Sequence, residues 1–149
     1  MSVQFRAAVR ADVPAIIALL ADDDLGRLRE IGDMADYEAA FDRIAAEPGN
    51  GVFVGEDDGR VVATYQLTII SNLSLGASSR AQIEAVRVAA ALRGQGIGAA
   101  LMADAEARAR AKGARLFQFT SNKVRDRAHG FYRRCGFEAT HEGFKKVLD

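Results

Sequence analysis

Apolar residues along the chain follow two rhythms, and the switches between them mark the elements. Val13, Ile16, Ile17 and Leu20 recur at helical spacing behind Asp12 and Pro14. An aspartate that accepts orphan amides and a proline in the first turn are helix-start signals, so a helix is predicted there. Tyr37, Phe41 and Ile44 keep a second helical stripe inside the polar, acidic stretch 22–48, which is read as one helix between loops. Ile97, Leu101, Ala105 and Ala109 mark a third helix, closed by Lys112-Gly113. A fourth, short one is predicted over 125–135, with Gly136 as its stop. Strands are predicted at 4–8, 51–56, 60–70, 82–88 and 116–120, with one or two more in 137–148. Asp57-Asp58-Gly59 joins the second and third as a hairpin turn, since an Asp-Gly pair tolerates positive φ. The order is β-α-α, a hairpin, then β-α-β-α-β. Meander and crossover units together predict an α/β (α+β) fold, a mixed sheet with helices on both faces.

Composition narrows the class without naming it. A chain of 149 residues with no repeat or linker is the size of one domain, 1–149. Lys plus Arg and Asp plus Glu number 20 each, so no overall field draws nucleic acid or an anionic membrane. Cys135 is the only cysteine, which excludes an internal disulfide and a multi-cysteine metal cluster. His129 and His141 have no ligand partner at metal-binding spacing, so no metal site is expected. No run approaches the roughly 18 apolar residues of a membrane span, and the N-terminus lacks a signal-peptide layout. A cytoplasmic setting is expected.

The distinctive local feature is Arg93-Gly94-Gln95-Gly96-Ile97-Gly98, placed between a strand and a helix. Three glycines in five residues let backbone approach a ligand closely. Unpaired amides and the helix dipole at that start favour an anion, and Arg93 adds a charge suited to bidentate phosphate contact. The chemistry therefore points to a phosphate or diphosphate. A Walker A loop is excluded, because Gly98-Ala99-Ala100 has neither its lysine nor its hydroxyl. Gly94-x-Gly96-x-x-Ala99 formally satisfies a dinucleotide fingerprint. That fold wants an acid about 20 residues on, however, and the next strand ends in Thr120-Ser121-Asn122.

Arg93-x-x-Gly96-x-Gly98 resembles the Q/R-x-x-G-x-G/A signature of the GNAT acetyltransferase superfamily. The resemblance extends to Gln82–Val88 before the loop, and after it to Ser121-Asn122-Lys123, Ala128–Tyr132 and Cys135-Gly136-Phe137. It implies a mixed central sheet of six to seven strands, split between the fourth and fifth, with acetyl-CoA lying in the opening. A bulge in the fourth strand would free backbone groups of Val86, Arg87 and Val88 for the pantetheine arm, and the pyrophosphate would sit on Arg93, Gly94, Gln95, Gly96, Ile97, Gly98 and Ala99. Asn122 matches the asparagine that hydrogen-bonds that arm; a cap for the following helix is the other reading. Tyr132 matches the tyrosine that protonates the leaving sulfur, against a boundary tyrosine of the core. Glu84 matches a glutamate base, against a structural ion pair with Arg80 or Arg87.

The resemblance implies an N-acetyltransferase that moves acetyl from acetyl-CoA to a primary amine of a small molecule or protein. Its alternative is a GNAT-fold module that holds acyl-CoA as a sensor without turnover. Family habit suggests a homodimer. The acceptor stays open: Asp22, Asp23, Asp24, Asp33 and Asp36 can draw a polycation or simply be solvated, and Arg80 can greet an anionic amine.

Overall fold

The computed structural model describes residues 2–123 and 125–149. Its chain forms two compact units, 1–118 and 119–149.

In the first unit, β1 (Gln4–Ala7), β2 (Asn50–Asp57), β3 (Arg60–Ile70), β4 (Arg80–Val88) and β5 (Leu116–Gln118) pair in sequential order. The first four are antiparallel neighbours, and β5 runs parallel to β4. The β2–β3 turn takes positive φ at Asp58 (49°) and Gly59 (78°), as the Asp-Gly pair predicts. The helices are α1 (Val13–Ala21), α2 (Asp24–Arg29), α3 (Met34–Ala46), the single turn α4 (Ser74–Ala77) and α5 (Ile97–Ala111).

Alternation along the strands sorts the helices onto two faces. Thr64 and Gln66 turn toward α1 and α3, where they share a pocket with Ile16 and Phe41. Tyr65 turns the other way, and its hydroxyl donates to Asp104 Oδ2 on α5 at 2.5 Å. Arg108 Nε joins the same carboxylate at 2.9 Å, and its guanidinium lies over the Phe53 ring. Burial and Asp104 push the Tyr65 phenol far above its ordinary range, so it remains a donor. Leu101, Met102 and Ala105 of α5 complete that side of the core.

Asp12 departs from its expected part. It stands at the N-cap of α1 but makes no side-chain cap bond to that helix. Its carboxylate instead accepts from both Arg6 terminal nitrogens, at 2.7 and 3.0 Å, and from Val9 N–H at 2.8 Å. The stretch 22–48 likewise holds two helices rather than one, because Asp23 starts α2 by accepting the Gly26 N–H.

The second unit contains α6 (Asp126–Arg134), followed by Gly136 at φ 94°. The closing strands expected over 137–148 are absent: the described residues carry five strands, not six or seven, and 138–149 are exposed throughout. That segment has few apolar side chains at period two to hold a register, and Phe144, Val147 and Leu148 all face solvent. The strand expected at 116–120 likewise stops at Gln118.

Candidate active site

The site grows out of one irregularity in β4. Ladder pairs Thr64↔Arg87 and Gln66↔Glu84 bracket a slip in which Ala85 and Val86 stand opposite the single residue Tyr65. Ala85 reaches a left-handed φ of 55°, unusual for a residue with a Cβ, so the bulge is held against local preference. Strict alternation would put residues 84 and 87 on opposite faces. The bulge places both on the α1–α3 side, because each lies directly across from a β3 residue of that face.

On its other edge, β4 pairs with β5 only from Arg80↔Leu116 to Gln82↔Gln118. From Ile83 to Val88 that edge has no ladder partner among the described residues, so the sheet parts between its fourth and fifth strands. Backbone groups in such an edge can pair with an extended ligand. At Val86 the carbonyl accepts from Arg87 Nη1 at 2.9 Å.

Glu84 is exposed, and neither expected ion pair forms. Arg80 Nη1 donates to Asn72 Oδ1 at 2.9 Å, while Arg87 Nε lies 3.2 Å from Asp23 Oδ2. No ion pair among the described residues holds Glu84, so its carboxylate is available on the open face.

After β4, the turn Ala90–Leu92 leads to Arg93 and the glycine loop. Gly94 and Gly96 have φ of 80° and 82°, and a Cβ built on either would meet nothing within 4 Å. The loop is therefore an open cradle of backbone. Helix α5 has no side-chain cap, and its first backbone bond runs from Ala100 N–H to the Gly96 carbonyl at 3.1 Å. Amides of Ile97, Gly98 and Ala99 are thus left at an uncapped helix start, an arrangement that fits a phosphate oxygen. Ile97 itself is buried and roots the loop in the core. Gln95 and Ala99 are exposed beside the cradle.

Asn122 and Tyr132 belong to the second unit. The Asn122 carbonyl accepts from Arg125 N–H at 3.1 Å, and Nε2 of His129 lies 3.1 Å from the same oxygen and 3.2 Å from Ser121 Oγ. Helix α6 begins behind Arg125, whose own side chain makes no cap bond to it. Tyr132 is half-buried, its ring 4.2 Å from Phe119, 5.4 Å from Phe131 and 6.4 Å from Phe137 between centroids. Gly130, mid-helix, has room for a Cβ, which would meet Arg134 at 3.5 Å. Burial pushes the Cys135 thiol up, which leaves it a poor nucleophile.

No group of three or more His, Cys, Asp or Glu side chains gathers to hold a metal among the described residues. Nor is any described helix long and apolar enough to cross a membrane.

The split sheet, the bulged fourth strand and the uncapped glycine loop coincide with a family match. The acetyltransferase (GNAT) family model matches residues 16–137. This chain belongs to the GNAT acetyltransferase family. It is 31% identical over 148 residues to the aminoalkylphosphonate N-acetyltransferase of Salmonella typhimurium strain LT2, covering 97% of this chain and 91% of that protein. Among solved structures it resembles a Bacillus halodurans C-125 protein described as a transcriptional regulator, at 38% identity and TM-score 0.94 over 99% of this chain and 100% of the other. Glucosamine-6-phosphate N-acetyltransferase of Arabidopsis thaliana shares the fold, with TM-score 0.83 and 19% identity over all of both chains.

Two features escaped the sequence reading. Asp23 is tied to Arg87 and to the start of α2 rather than solvated, and the bond to Gly26 needs a glycine there. A Cβ on Gly26 would lie 1.9 Å from the Leu20 carbonyl oxygen. Gln66 sits half-buried between the buried Tyr65 and Leu67, a polar interruption in the middle of β3 that the sequence displayed.

Proposed function

We propose that this GNAT protein transfers an acetyl group from acetyl-CoA directly to a primary amine, with residues 1–149 acting as one N-acetyltransferase domain. The observation that carries the reading is the pairing of an uncapped glycine cradle with an unladdered, bulged strand edge immediately before it in sequence. The cradle suits the pyrophosphate through Arg93 and the amides of Gly94 to Ala99, and the edge at Val86, Arg87 and Val88 suits the amide-bearing pantetheine arm. Asn122 would add a hydrogen bond to that arm.

The chemistry then assigns the remaining groups. An alkylammonium, with a pKa near 10, has no lone pair and must lose a proton first. Glu84, exposed and without an ion pair among the described residues, takes that proton directly or through a water. The amine nitrogen attacks the thioester carbonyl carbon, the C–N bond forms, and the C–S bond breaks. The departing sulfur takes the Tyr132 hydroxyl proton, and the second proton shed by the acylated nitrogen passes through solvent to restore that hydroxyl. Holding both reactants in one cleft supplies much of the rate. A cytoplasmic setting and a homodimer belong to the same reading.

The second reading, an acyl-CoA sensor without turnover, draws on the Bacillus halodurans relative described as a transcriptional regulator. One experiment separates the two: release of free thiol from acetyl-CoA across a panel of primary amines. Amine-dependent release establishes the transferase. Tight CoA binding with no release by any amine leaves the sensor.

A further inference from the structure

Beside the bulge, the first unit contains a cavity of ≈ 100 Å³ between α1, α3 and the sheet. Its walls are Ile16, Leu20, Phe41 and Ile44, with Gln66 and Ala85 at the strand end. No charged side chain lines it among the described residues. Ala85 is the bulge residue, and Gln66 is the ladder partner of Glu84, so the cavity opens on the face where that carboxylate stands.

We propose that the acceptor is a primary amine on a compact, uncharged apolar body that fills this cavity, with its nitrogen at Glu84. The inference rests on the acetyltransferase reading and names its substrate class. An apolar cavity of ~150 Å³ holds benzene, so one of ≈ 100 Å³ suits a short chain of about three or four carbons. Several charges that would recognise other amines are paired elsewhere among the described residues. Asp23 is bound to Gly26 N–H and Arg87, Glu38 and Asp42 pair with Arg10, and Arg80 is turned to Asn72. Asp22, Asp33 and Asp36 are exposed and do not line the cavity. A polycation or a phosphonate would meet hydrocarbon there, where a charge is costly to bury.

The test is thiol release from acetyl-CoA with ethylamine, propylamine, isobutylamine and isoamylamine, alongside spermidine and aminomethylphosphonate. The expected result is a rise in kcat/KM of about three- to fourfold per added methylene up to isobutylamine, with no further gain at isoamylamine. Ala40→Leu, which narrows the cavity, should move the optimum to a shorter amine, and Ile44→Ala should move it to a longer one, with thermal melts showing both folded. Highest turnover with spermidine or aminomethylphosphonate and a flat alkyl series would overturn the apolar acceptor while acetyl transfer stands. No thiol release with any amine would overturn the transferase reading itself, and this inference with it.

Discussion

Tyr132 and Glu84 pose the sharpest questions at the scale of single residues. Tyr132 shares an aromatic cluster with Phe119, Phe131 and Phe137, so Tyr132→Phe retains the ring packing and removes only the hydroxyl. If that hydroxyl protonates the sulfur, kcat falls about 10²-fold with little change in acetyl-CoA KM. Steady-state kinetics with a good amine decide it, and unchanged turnover returns the tyrosine to the core. Asp12 bears on stability rather than chemistry. Hydrogen bonds from Arg6, aided by Val9 N–H, hold its carboxyl below the usual range despite burial. A carboxyl lowered in the folded state contributes stability that is present above its unfolded pKa near 3.9, and lost as pH falls through the folded value. Denaturant melts should therefore weaken below about pH 4 in the native chain, and Asp12→Asn should blunt that loss. Candidate catalytic residues could be named from the sequence because their types match the family motif. What Asp12 and Asp23 bind could not be, since Arg6 and Arg87 reach them only through the fold.

Among elements, α5 and β4 carry the site, and they were legible to different degrees. Helix α5 was plain from its apolar stripe and its flanking glycines, and it begins at Ile97 as that pattern requires. In the proposed cofactor role it depends on Gly96 holding φ 82° with open space where a Cβ would be. Gly96→Ala introduces strain of about 1 kcal/mol and puts a methyl group in the cradle. Acetyl-CoA KM should rise tenfold or more while kcat at saturation changes little, and an unaltered KM would remove the loop from cofactor binding. Strand β4 was legible as a strand with a family bulge, but the position of the slip was not. Ala85 has no sequence signature for left-handed backbone, and neighbouring strands hold it there.

For the whole molecule, ligand binding should appear as stability. A ligand that binds only the folded chain stabilises it by RT ln(1 + [L]/Kd), about 2.7 kcal/mol at a hundredfold excess over Kd. Under the proposed function, coenzyme A should therefore raise the Tm of this 149-residue chain by roughly 5–10 °C, and adenosine alone by much less, since it lacks the phosphates assigned to the cradle. Differential scanning fluorimetry reads both, and equal shifts would place the affinity outside the loop. The sequence by itself determined most of the helices and strands up to Gln118, the glycine turn at 94–98 and the family, since each depends on local period, glycine backbone freedom or a contiguous motif. Only the tertiary structure decided that Glu84 has no ion pair among the described residues, that Arg87 turns to Asp23, and that the cavity at Gln66 and Ala85 has no charged lining among the described residues. The physical reason is one residue of slip: the bulge at Ala85 resets which face of β4 each later side chain occupies. That phase depends on pairing with Thr64 and Gln66, about 20 residues away along the chain, and not on any neighbour in sequence.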